Sequence, residues 1–135
     1  MNDSVNRAVN RAVNPASIAP PAAAYSHGVV SSGVKALLHT AGVVPVAPDG
    51  SVPEGLAEQS KLVWSNIGVI LAESGFVIDD IVSMTTYVVA GANVALVMEA
   101  RDAVMKEHRP ASTLVYVPAL ARPQWLVEVA VVAAQ

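Results

Sequence analysis

Apolar residues recur along this chain with two different periods, and the switches between them divide it into elements. Gly28–Ser32 and Ala36–Thr40 are short strand-like runs on either side of Gly33. Gly42 ends the second run, and Pro45, Pro48-Asp49-Gly50 and Pro53 mark a loop. Leu56, Val63, Ile67, Ile70 and Leu71 then share one stripe at helical spacing, with Gly75 placed to stop that helix. The run from Ile81 to Val89 is rich in β-branched residues and predicts a strand. Asn93 is positioned as the N-cap of a second helix, whose Val94, Val97, Met98, Arg101, Val104 and Met105 share a face. That helix ends near His108-Arg109-Pro110, and strands over Thr113–Val117 and Leu126–Ala134 complete the pattern. The order ββ-α-β-α-ββ predicts an α+β fold with two helices on one sheet. The last strand is apolar at both parities, which predicts cover on both faces. Two helices cover one face, so the other calls for a second subunit.

Residues 1–22 stand apart from this pattern. Val5-Asn6-Arg7-Ala8 is followed by Val9-Asn10-Arg11-Ala12 and Val13-Asn14-Pro15. The expectation is a flexible N-terminal extension over 1–22 and a single domain over 23–135. Composition adds to the case for association. The chain has 135 residues, 53% of them apolar and 14% charged, where charged residues in soluble domains make up about 25%. Surplus apolar surface on so small a domain points to burial between copies. The net charge of −3 and the lack of a basic run argue against nucleic-acid binding. No apolar stretch reaches the ~18 residues that a membrane span needs. Without cysteine there is no disulfide framework, thiolate nucleophile or zinc-thiolate site. This composition fits the cytoplasm.

Candidate chemistry concentrates near the end. Glu128 is the only charged residue among the last thirteen and lies in the apolar run Leu126–Ala134. A carboxylate there is either a structural group, locked in an ion pair or accepting backbone N–H groups, or a general acid/base tuned by its surroundings. Spacing alone leaves both readings open. His27, His39 and His108 are far apart and lack metal-ligand spacing, and His39 is read as a core or interface residue. No P-loop, dinucleotide fingerprint or Gly-x-Ser-x-Gly elbow is present.

Six short motifs in order carry a resemblance. Ala24-Tyr25-Ser26-His27-Gly28 is similar to a Pro-Tyr-Ser-Gln-Ala/Gly entry. Leu38-His39-Thr40-Ala41-Gly42-Val43-Val44-Pro45 is similar to Phe-Thr-Ser-Gly-Gln-Ile-Pro. Glu58-Gln59 with Asn66-Ile67, Ile78-Asp79-Asp80-Ile81-Val82, Pro110-Ala111 and Val127-Glu128-Val129 follow. Over about residues 23 to 134 the chain resembles the Rid family, also called YjgF/YER057c or endoribonuclease L-PSP. The resemblance implies a chorismate-mutase-like α+β fold with a mixed sheet, in a barrel-like homotrimer with small-molecule sites in clefts between subunits. It implies enamine or imine deamination without metal or organic cofactor. Glu128 falls at the family's water-positioning glutamate, Tyr25 at its cleft tyrosine and Gly42 at its pocket-lining glycine. The chain departs from the family at Ser112, where the substrate-binding arginine belongs, at Ala41, which replaces a serine, and at Met98, where many members carry asparagine. Arg109, Arg101 and Arg122 are the candidates to supply a guanidinium instead. The resemblance leaves two functions open, a deaminase of altered substrate preference and a metabolite-binding or regulatory trimer. RNA cleavage rests on the older family label alone, and the acidic charge argues against it.

Overall fold

A computed structural model describes residues 8–135, so the first part of the Val-Asn-Arg-Ala repeat lies outside the described residues. The elements are β1 (Val9–Val13), β2 (Gly28–Ser32), β3 (Leu37–His39), α1 (Leu56–Ser74), β4 (Ile81–Val89), α2 (Val94–Met105), β5 (Ala111–Val117) and β6 (Val127–Ala134). Four strands form one sheet in the order β3-β6-β4-β5. Strands β4 and β5 are parallel, and the other two pairings are antiparallel. A parallel neighbour demands a crossover, and α2 provides it. The result is the expected mixed sheet with two helices.

The N-terminal region differs from the sequence reading, which leaves 1–22 as a flexible extension. Val9–Val13 forms β1 and pairs antiparallel with β2, from Val9 opposite Ser32 to Val13 opposite Gly28. Asn10 Nδ2 also donates to Ala134 O at 3.1 Å, tying this ribbon to the end of β6. The repeat hides the strand because alternate positions mix valine with arginine, so neither face reads as apolar.

Local chemistry explains the helices. The α1 stripe buries Leu56, Val63, Ile67 and Leu71. Gly75 ends the helix in the left-handed region at φ 79°, with its N–H on Ala72 O, while the Phe76 N–H reaches Leu71 O at 2.8 Å. Asn93 caps α2, its Oδ1 accepting the Ala95 N–H at 3.2 Å. The core lies between helices and sheet, with Val63, Ile67, Ile81, Met84, Val88, Val97 and Val129 all buried. Strand β6 alternates: Val127, Val129, Val131 and Ala133 are buried, while Glu128, Ala130 and Val132 are only half-buried. Within one chain, then, only one face of this strand is fully covered. None of the helices among the described residues is long and apolar enough to cross a membrane.

Candidate functional site

The site begins with a mismatch between β6 and the chain that follows β3. Thr40 N–H donates to Val131 O at 3.0 Å, and Val131 N–H donates back to Thr40 Oγ1 at 2.9 Å. The next rung joins Val43 and Val129, with N–H···O distances of 2.7 and 3.1 Å. Between these rungs two residues, Ala41 and Gly42, lie against the single residue Ala130. That count defines a bulge, which turns backbone away from the ladder. Among the described residues, the N–H groups of Ala41 and Gly42 have no backbone acceptor, and both residues are exposed.

The bulge lays Gly42 directly against Glu128. A Cβ at position 42 would fall 2.1 Å from Glu128 Oε2 and 2.7 Å from its Cδ, so the carboxylate fills the space that any side chain would need. Only glycine permits this approach. Glu128 is half-buried and makes no ion pair or hydrogen bond among the described residues. The structural reading of Glu128, locked in an ion pair or accepting backbone N–H groups, therefore finds no partner among the described residues. What stands there is a carboxylate able to accept a proton, beside two main-chain N–H donors.

A second group of the expected residues gathers at the start of β5. Ser26 is buried, donates its N–H to Pro110 O at 3.0 Å and its hydroxyl to Arg109 O at 2.5 Å, and forms a parallel bridge with Ala111. This bridge sets Tyr25 next to the segment that carries Ser112. The Tyr25 hydroxyl accepts the Ala22 N–H at 3.3 Å, and its ring meets His27 edge-on with centroids 6.1 Å apart.

Register separates the two groups within one chain. Glu128 pairs with Tyr87, which pairs with Val115. Ser112 pairs with Met84, which pairs with Val131. Paired residues share a face, and Met84 and Val131 point into the core. Ser112 thus belongs to the helix-facing side of the sheet, and Glu128 to the open side. They are also three residues apart along β4 and two strands apart across it, roughly 10 Å in each direction.

Two of the three alternative arginines have other engagements. Arg109 Nη1 donates to the carbonyls of Lys106 and His108, closing the turn after α2. Arg101 is buried, with Nε bonded to Asp102 Oδ1 at 3.0 Å. Arg122 is exposed in the segment before β6. His39 is exposed on β3, so within the chain it is not a core residue. Among the described residues, no group of three or more His, Asp or Glu could hold a metal ion.

Sequence reasoning overlooked the supports of this site. Gln59 and Asn66 entered it only as parts of a motif, yet both reach from α1 to the segments around Gly42 and Glu128. Gln59 Nε2 donates to Pro53 O and Gln124 O, and Asn66 Nδ2 donates to Val44 O and Val46 O. Their signal in the sequence is two side-chain amides on the stripe that also carries Val63 and Ile67.

Residues 16–135 match the family described as Endoribonuclease L-PSP. The chain belongs to that family. Its relatives agree with the Rid/YjgF/YER057c resemblance of the motifs. YyfB of Yersinia pestis, a Rid-family protein of unknown function, superposes with a TM-score of 0.83 at 26% identity, over 93% of this chain and 98% of that one. TdcF of E. coli, solved with bound serine, superposes with a TM-score of 0.69 at 26% identity, over 90% and 93%. The mitochondrial protein MMF1 of Saccharomyces cerevisiae is 30% identical over 105 residues, which is 76% of this chain and 70% of MMF1. The L-PSP family thus accounts for the α+β fold and for the order of the motifs.

Proposed function

We propose that the protein hydrolyses a reactive enamine or imine to a carbonyl compound and ammonia, with Glu128 as general base. The observation that carries this reading is the unpaired Glu128 carboxylate seated against the main chain of Gly42. A water held by Glu128 gives up a proton to the carboxylate as its oxygen bonds to the C=N carbon. The π pair of that double bond moves to nitrogen, which takes up a proton. The resulting carbinolamine loses ammonia as its C–N bond breaks and the C=O bond forms. One water is consumed per ammonia released, with no oxidation or reduction. An enamine enters the same path after tautomerising to the imine. The N–H groups of Ala41 and Gly42 are available to the polar atoms of the substrate.

Ser112 sets the substrate class. A charge-assisted hydrogen bond is worth about 1.5–3 kcal/mol, so a site without a two-bond arginine clamp handles a 2-imino acid worse by several orders of magnitude. A neutral or weakly anionic substrate fits this chain better. The cleft is completed in a homotrimer, where Glu128, Ala41 and Gly42 of one copy meet Tyr25, Ser112 and Arg109 of a neighbour. The half-buried open face of β6 and the separation of the two residue groups within one chain both support that assembly.

Ser112 also favours a second reading, a trimer of the same fold that binds a small metabolite without turning it over. Ammonia release decides between the two, measured on enamines generated in situ with and without a carboxylate. The wild type is expected to accelerate decay of the neutral enamine, and Glu128→Ala to return it to the buffer rate. Ser112→Arg is expected to gain 2-imino acid turnover by tenfold or more. If every enamine decays at the buffer rate while a metabolite raises the melting temperature, the binding reading replaces the hydrolase.

A further inference from the structure

We propose that Gln59, together with Asn66 two turns further along α1, is a positioning residue that holds the Glu128 carboxylate against Gly42. The inference deepens the hydrolase reading and rests on it for its kinetic consequence. Its geometric part stands separately.

Gln59 is fully buried, at 0% exposure. Its Nε2 donates to Pro53 O at 2.7 Å and to Gln124 O at 2.8 Å, and its Oε1 accepts the Leu126 N–H at 2.8 Å. Two donors thus meet carbonyls and the acceptor meets an N–H, so the amide has one orientation that fits. Leu126 lies two residues before Glu128. Its carbonyl accepts the Val89 N–H at 3.0 Å, so Gln59 and β4 hold it from both sides. This peptide is where the β5–β6 connection becomes β6, and Gln59 therefore sets where the strand carrying Glu128 begins.

Asn66 acts on the other partner. Its Nδ2 donates to Val44 O at 3.3 Å and to Val46 O at 3.1 Å. Val44 follows Val43, whose two bonds to Val129 close the bulge that contains Gly42. Seven residues are nearly two full helical turns, so both amides project from one stripe of α1. One rigid helix thus fixes the segment before the carboxylate and the segment after the glycine. Local packing does not require amides at these places, since Leu56, Val63, Ile67 and Leu71 supply the apolar contacts of the same stripe. Three of the four hydrogen-bonding positions of Gln59 are used on main chain leading to the site.

The test uses the full chain. Gln59→Glu keeps the shape of the side chain but turns a carboxylate oxygen toward the carbonyls of Pro53 and Gln124. Gln59→Leu removes the bonds altogether, and Asn66→Asp does to the Gly42 side what Gln59→Glu does to the Glu128 side. Ser60→Ala is the control: Ser60 is buried beside Gln59, and its hydroxyl has no hydrogen-bond partner among the described residues. With a neutral enamine as probe, each Gln59 variant is expected to lose tenfold or more in kcat with KM within twofold, and Ser60→Ala to change neither. The amide cross-peaks of Gly42 and Glu128 in the 1H–15N NMR spectrum are expected to move in the Gln59 and Asn66 variants and to stay in place in Ser60→Ala. Folded variants that lower only the melting temperature, with kcat and both cross-peaks unchanged, overturn the proposal. If the wild type turns over no enamine, the hydrolase reading fails and the cross-peaks alone decide positioning. If the Gln59 variants do not fold, Asn66→Asp gives the same readouts, and unmoved peaks there overturn it.

Discussion

At the scale of single residues, the pair Glu128 and Gly42 shows how a glycine can be required without a special backbone angle. The demand is for space: Oε2 occupies the place of a Cβ. Gly42→Ala forces the carboxylate or the bulge to move, because real Cβ contacts do not approach 2.1 Å. The expected outcome is at least a tenfold fall in kcat with a small change in melting temperature, since both residues lie outside the buried core. Steady-state kinetics beside a thermal melt checks this, and unchanged kcat would remove Gly42 from the site. Both members were named from the sequence, Gly42 through the family resemblance alone. A lone acid in an apolar run marks Glu128. Its approach to Gly42 was not legible, because the bulge arises from a miscount between two segments more than eighty residues apart.

Elements were legible where the apolar period was clean. The α1 stripe and its stop glycine, the β-branched β4 and the Asn93 cap all follow from local chemistry. Strand β1 does not, because its pairing with β2 involves alternate residues that share no apolar face. Which face of β5 carries Ser112 was also hidden, since parity becomes readable only when Met84 is known as its neighbour. The α1 stop gives a quantitative expectation. Gly75 holds φ at 79°, where an L-residue costs about 1–2 kcal/mol. Gly75→Ala is therefore expected to lower the melting temperature by a few degrees while leaving activity at 25 °C unchanged. Calorimetry together with the ammonia assay separates the two effects. A variant as stable as the wild type would show that the cap carries no stability.

At the scale of the whole molecule, the sheet is asymmetric: helices and core on one side, half-buried Glu128, Ala130 and Val132 on the other. On that open side Leu37 and Val115 are exposed at 57 and 39%, apolar surface that a second copy can cover. Light scattering is expected to give three times the chain mass of 13.9 kDa. Val115→Glu places a charge on the open face beside Tyr87 and is expected to yield a folded monomer without activity. A wild type that runs as a monomer at micromolar concentration removes the intersubunit cleft. The surplus of apolar residues made association legible in the sequence. The distribution of the candidate residues over two faces was not, because it depends on the register of strands distant along the chain.

The position of β6 also shapes how the chain must fold. It is the last strand, yet it lies between β3 and β4, and Leu37 pairs with Ala134 across nearly a hundred residues. Until β6 arrives, β3 lacks its sheet partner and β4 keeps one open edge, the kind of edge that recruits other chains. Long-range closure of this sort slows folding. A nascent or truncated chain ending before Val127 would present both edges together with the α1 and α2 faces meant for the core, and would aggregate rather than persist as a partial domain. The same strand carries Glu128, which pairs with Tyr87 of β4 and meets Gly42 only once β6 is in place. The carboxylate comes into position in the step that closes the sheet.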